Sequence, residues 1–105
     1  MEATFSVLAE PNRRRILDLL RERERTVNEL VEHLDLSQPT VSKHLKVLRE
    51  ANLVEVRQDA QRRWYRLQAK PLIEIEAWLA PYRSFWSERL DALEAYLSAQ
   101  EQEPS

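Results

Sequence analysis

Hydrophobic positions recur at helical spacing along most of this chain, switch once to alternation, and then resume helical spacing to near the end. Phe5 and Leu8 predict a short apolar helix ending near Pro11. "PNRRRILDLLRE" predicts a second helix, with Pro11 in the first turn, where its missing amide has no partner to lose. Ile16, Leu17 and Leu20 share one face of it, and the run Arg13–Arg15 reads as its solvated side. "RERER" reads as a link. "TVNE" reads as a capping box: the Thr26 hydroxyl accepts from the Glu29 amide, and the Glu29 carboxylate reaches back to Thr26. Val27, Leu30, Val31 and Leu34 supply the buried stripe of this third helix. "DLS" makes a tight turn, and Ser37 caps a fourth helix starting at Gln38.

On that fourth helix Val41, Leu45 and Leu48 form a narrow stripe, with His44 at its edge. Pro39, Lys43 and Lys46 lie nearly opposite, Thr40 and Ser42 flank them, and Gln38 sits in the exposed first turn. "VEVR" then alternates, with Val54 and Val56 on one face, and "RRWYRL" alternates again after the polar "QDAQ". This predicts a two-stranded hairpin. Its turn lacks the glycine that tight hairpins prefer, so either a longer loop or Asp59 at the positive-φ position is expected. From Lys70 to about Ser98 the chain is helical again. Ile75, Leu79, Tyr82, Trp86, Leu90, Leu93 and Leu97 follow one another in steps of three and four, the spacing of a packing seam. Trp78 and Phe85 widen it. Pro81 is expected to kink or interrupt this helix, and "QEQEPS" reads as a frayed tail.

Composition narrows the classes. A chain of 105 residues suffices for one domain with a thin core, for which dimerisation is a common remedy. It has no cysteine, which excludes disulfides and thiolate metal sites and fits a reducing cytoplasm, and no glycine, hence no glycine-rich phosphate cradle. The N-terminus lacks the charged start and apolar run of a signal peptide, and no stretch approaches a membrane span. The net charge is −2, but it is unevenly placed. Residues 37–66 hold seven lysines and arginines against three carboxylates, and residues 67–105 hold three against seven. A basic middle beside an acidic tail points to a polyanion on one face.

Two helices joined by a short turn, the second polar and basic outward, form a helix-turn-helix arrangement. The DNA major groove admits one α-helix, whose N-terminal residues meet the base edges. Gln38 suits adenine, Ser42 and Thr40 suit several bases, and Lys43 suits guanine or a phosphate. Ser37, Thr40 and the first amides suit a backbone phosphate, and Pro39, Lys46 and an interfacial or phosphate-facing His44 complete the DNA-contacting set expected of this helix. Arg57 on one arm of the hairpin, with Arg62 and Arg63 just past its tip, can reach an adjacent minor groove. Enzyme chemistry has no support. Ser37 and Ser42 have no base and orienting acid, the carboxylate pairs lie in charge-rich stretches, and His33 and His44 have no second ligand at metal spacing. No metal or cofactor is expected. The aromatic stripe reads first as a dimer core, then as an effector pocket at that interface, then as a partner groove.

"LAEPNRRRILDLL", "VNELVEHLDLSQPTVSKHLKVLREANLV" and "VRQDAQRRWYRL" together resemble the ArsR-type family of winged helix-turn-helix repressors over roughly residues 3–67. "FWSERLDALEAYL" is similar to the last helix of a cysteine-free subgroup. The resemblance implies a homodimeric transcriptional repressor whose first and last helices form the dimer, whose fourth helix reads DNA and whose hairpin is the wing. Phe5 and Leu8 thereby join Trp78, Leu79, Tyr82, Phe85, Trp86, Leu90, Leu93 and Leu97 as expected interface residues. Metal-sensing members carry cysteines where this chain has Thr26, Asn28 and Val31, or use histidine from a last helix that here has none. Ala60 stands at the wing's usual glycine.

The expected fold is therefore mainly α with a β-hairpin wing, in the order α-α-α-α-β-β-α. One domain spans 1–98, with a recognition helix at 37–51, a wing at 54–67, a dimerisation helix at 70–98 and a tail at 99–105. Its expected partners are double-stranded operator DNA and a second copy of itself, with no membrane and no effector specified. The rival reading is a protein-interaction module that keeps the fold without specific DNA binding.

Overall fold

The computed structural model describes residues 1–101. The elements run α1 (Glu2–Leu8), α2 (Pro11–Glu22), α3 (Val27–Leu34), α4 (Gln38–Glu50), β1 (Val54–Asp59), β2 (Arg62–Leu67) and α5 (Lys70–Glu101). This is the winged helix-turn-helix order. Two compact units make up the chain, residues 1–74 and the part of α5 from Ile75 onward.

In the first unit the helical stripes turn inward as their spacing requires. Ile16 of α2, Leu30 of α3, Val41, Leu45 and Leu48 of α4, and Leu53 are completely enclosed. Burial of each such side chain favours folding by about 1.5–3 kcal/mol. α3 packs on α4, and α2 packs on α3, α4 and β2. The strands pair antiparallel in the register Val54↔Leu67 through Asp59↔Arg62. Val54 and Tyr65 face the core.

The helix ends are closed without glycine. Glu10, Thr26 and Ser37 cap α2, α3 and α4, each accepting from the amide three residues on. The capping box at Thr26 is made in one direction: the hydroxyl accepts from the Glu29 amide at 3.3 Å, but the Glu29 carboxylate turns to Arg23 at 3.0 Å. Asp35, at φ 55°, closes α3 in the left-handed region. α4 ends in a Schellman motif, in which the Asn52 amide donates to the Arg49 carbonyl and the Leu53 amide to the Leu48 carbonyl, both at 3.0 Å, with Asn52 at φ 61°.

Three expectations are corrected. The hairpin has neither a longer loop nor Asp59 at positive φ. Asp59 and Arg62 pair across a two-residue turn, and Ala60 takes the left-handed conformation at φ 56°. α5 continues through Pro81 without interruption; the one amide that proline removes leaves a carbonyl on an exposed surface, where water can serve it. The run Arg13–Arg15 is solvated at Arg14 and Arg15, which are exposed; their guanidinium groups also donate to the Leu8 carbonyl at 2.7 Å and to that of Leu34, and half-buried Arg13 donates to His44. Finally, "RERER" is more than a link. Arg25 and Tyr65 exchange backbone hydrogen bonds, so the segment before α3 lies along β2 as a bridge partner.

In the second unit every side chain from Trp78 to Glu101 except half-buried Leu79 is exposed. Trp78, Tyr82, Phe85, Trp86, Leu90 and Leu93 are each 46–64% accessible. Trp78 and Tyr82 stack at a tilt with centroids 5.4 Å apart, and Arg89 lies over the Phe85 ring at 4.5 Å. The helix reaches Glu101, so the expected tail from residue 99 begins as helix, and residues 102–105 lie outside the described part. No described helix is long and apolar enough to cross a membrane.

Candidate nucleic-acid interface

α4 is anchored by its leucines and by its cap. With Val41, Leu45 and Leu48 fully inside, the helix cannot rotate without exposing them. The Ser37 hydroxyl accepts from the Thr40 amide at 3.3 Å and meets the Thr40 hydroxyl at 2.7 Å. Ser37, Gln38, Pro39, Thr40, Ser42, Lys43 and Lys46 are all exposed. No ion pair engages Lys43 or Lys46 among the described residues. This row of amide, hydroxyl and ammonium groups is what base edges and phosphates accept or donate to.

His44 stands apart from that row. Its side chain is only 15% exposed; its Nδ1 accepts from Arg13 Nε at 3.3 Å, and its Nε2 lies 3.7 Å from the Glu10 carboxylate. It is directed toward α2, where it ties α4 to the residues that start that helix.

The wing's arginines also divide. Arg57 Nη2 donates to Glu24 at 2.8 Å, and its Nη1 lies 3.7 Å from Asp59. The hydrogen bond to Arg57 holds the Glu24 carboxyl below the usual glutamate range, and Glu24 in turn raises Arg57. Arg66 is paired with Glu55 at 2.8 Å. Arg62 and Arg63 are exposed and enter no ion pair among the described residues; Arg63 lies over the Tyr65 ring at 5.9 Å. Both line a cleft of about 450 Å³ together with Gln61, Gln38 and the first residues of α3, Thr26 to Asn28. The start of α4 and the tip of the wing thus open onto one polar, positively charged recess.

Sequence reasoning passed over Arg25. It is 4% exposed, and its guanidinium donates to the Leu19 carbonyl at 3.1 Å and to Glu22 at 2.9 Å, and lies 3.1 Å from His33 Nε2. The signal was faint: strict sign alternation in "RERER" suits a strand whose two sides meet different neighbours. Among the described residues, no group of three or more histidine, aspartate or glutamate side chains could hold a metal ion.

The model of the bacterial regulatory protein family arsR matches residues 10–56. The chain is 32% identical over 79 residues to the transcriptional repressor SdpR of Bacillus subtilis, covering 75% of this chain and 88% of that protein. It is 37% identical over 75 residues to the arsenical resistance operon repressor of Staphylococcus aureus, covering 71% and 72%. Among solved structures, it resembles a homodimeric winged helix-turn-helix DNA-binding domain from Mycobacterium bovis, described as a possible ArsR-family transcriptional regulator. That match has a TM-score of 0.65 at 28% identity, over 79% of this chain and 77% of that one.

Proposed function

The chain belongs to the ArsR family of bacterial regulatory proteins, a family of transcription regulators and not of enzymes, and within it we propose a homodimeric repressor that occludes a promoter. Two copies of α4 enter successive major grooves of an imperfect palindrome, centred about 10 bp or a multiple of that apart. Gln38, Thr40, Ser42 and Lys43 meet base edges, while Ser37, Pro39 and Lys46 border the backbone. Arg62 and Arg63 supply the wing's charge to the neighbouring minor groove. His44 and Arg57, both engaged within the fold, are left out of this contact set.

The observation that carries the reading is the shared recess of Gln38, Arg62 and Arg63, beside a helix face whose polar groups are exposed. Dimerisation is supported by the M. bovis domain, whose description is homodimeric, and by the uncovered stripe of α5. Phe5, Leu8, Trp78, Leu79, Tyr82, Phe85, Trp86, Leu90, Leu93 and Leu97 are assigned to contacts with the second copy. A repressor that works on DNA belongs to the bacterial cytoplasm.

Fluorescence anisotropy of the purified protein on labelled DNA from upstream of its own gene, with a shuffled duplex as competitor, tests this. Selective, salt-sensitive binding is expected. Equally weak binding to both duplexes would remove the promoter of its own gene as the operator.

A further inference from the structure

We propose that Glu24 is an internal stand-in for phosphate that withholds Arg57 from DNA, so that of the wing's four arginines only Arg62 and Arg63 are left without an ion pair, Arg66 being held by Glu55. This rests on the DNA-binding reading above and adds a residue that sets how much of the affinity is independent of sequence.

Glu24 is held in place by the residues on either side of it. Most exposed ion pairs between mobile side chains are weak and readily exchanged. Here the backbone on one side of Glu24 is fixed, because Arg25 exchanges hydrogen bonds with Tyr65 at 3.0 and 2.8 Å. Arg25 is in turn held by Leu19 and Glu22 of α2. On the other side, Arg23 is paired with Glu29 at 3.0 Å. The segment lies along the wing sheet, and its alternation sends Glu24 to β1. There it accepts from Arg57 at 2.8 Å, with the two side chains 34% and 44% exposed. Mutual stabilisation of the charged forms agrees with this geometry.

A DNA phosphate approaching Arg57 meets two carboxylates already there, since Asp59 lies 3.7 Å from the same guanidinium. It would have to displace a preorganised acceptor and then sit beside like charges. Arg62 and Arg63 present no such obstacle, having no ion-pair partner among the described residues. Counterion release accompanies only cations that reach phosphate. Arg57 therefore drops out of the salt dependence, and general attraction to DNA is held down while the base-reading face of α4 is left alone.

The test is a salt series of anisotropy titrations on a labelled mixed-sequence duplex with wild type, Glu24→Gln, Arg57→Gln and the double variant. Glu24→Gln should tighten binding at low salt and steepen the log–log salt slope by about 0.9, the increment of one added phosphate contact. Arg57→Gln should leave the slope at the wild-type value, and the double variant should return to it. An unchanged slope in Glu24→Gln would overturn the inference. So would a shallower slope in Arg57→Gln, or a gain that persists in the double variant, which would trace to a loosened linker. Wild type that binds no duplex at any salt would remove the DNA-binding reading itself, whereas wild-type binding with an unresponsive slope removes only the role of Glu24.

Discussion

Arg25 and Tyr65 are joined twice over: each backbone amide donates to the other's carbonyl, while the Arg25 guanidinium reaches back to α2 and α3. One residue thus fixes the wing's second strand to the helices beneath it. The Arg25 side chain, 5% exposed, survives burial only because its donors are occupied.

Arg25→Ala should cost about 2–3 kcal/mol, since hydrogen bonds to a charged group and a buried site are lost together. Glu22→Gln should cost less than about 1 kcal/mol, because Glu22 is largely exposed and water replaces its partner. Urea unfolding measures both. Equal losses would mean that the ion pair, and not the cation's burial, governs the site.

Ala60→Gly should stabilise the protein by up to about 1 kcal/mol. The left-handed conformation at φ 56° costs a residue with a Cβ about 1–2 kcal/mol, and the freer unfolded glycine takes back about 0.4–1 kcal/mol. A melting temperature lowered by the substitution would contradict the assigned turn.

Gln38→Ala and Lys43→Ala should each weaken binding to the preferred operator by roughly 1–3 kcal/mol and relax preference at one base pair. Arg62→Ala should instead weaken all duplexes alike and make the salt slope shallower by about 0.9. Competition titrations across single-base operator variants separate the two patterns. An unchanged base preference removes the substituted residue from readout.

Trp86→Ala should shift sedimentation toward the monomer, because the indole, 48% accessible in one chain, lies near the middle of the uncovered stripe. A dimer peak that does not move at any concentration would place the interface elsewhere.

The Glu24–Arg57 pair gives a sign for acid behaviour. Glu24 titrates below its ordinary value of 4.5 in the folded chain. Its contribution to stability is fully present above that ordinary value and is lost as pH falls through the lowered folded one. Wild type and Glu24→Gln should differ near neutrality and converge in acid. Urea midpoints measured along a pH series check this, and parallel profiles would discount the pair.

Much of this was legible in the residues because local chemistry decides it. Ser37 could cap only a helix beginning at Gln38, and the spacing of Val41, Leu45 and Leu48 left one choice of buried face. The rest depended on neighbours distant in sequence. Nothing near Arg57 announces Glu24, and nothing near His44 announces Arg13. The hairpin turn misled for a different reason. The usual preference for glycine is a matter of about 1–2 kcal/mol, which the paired strands outweigh, so Ala60 adopts a conformation its side chain opposes. Pro81 does not interrupt its helix, since a helix bathed in solvent can give up one hydrogen bond to water.

In the proposed dimer, the uncovered aromatic stripe of α5 also governs how the protein answers to its own abundance. Chains too dilute to pair leave those rings wet, and the active species then grows with the square of the number of chains. Doubling synthesis would nearly quadruple the pairs available to an operator in that range, and would only double them once pairing is complete. A gene controlled in this way switches over a narrower span of protein supply than a lone chain could impose, and dilution at cell division releases it more abruptly than simple proportion predicts.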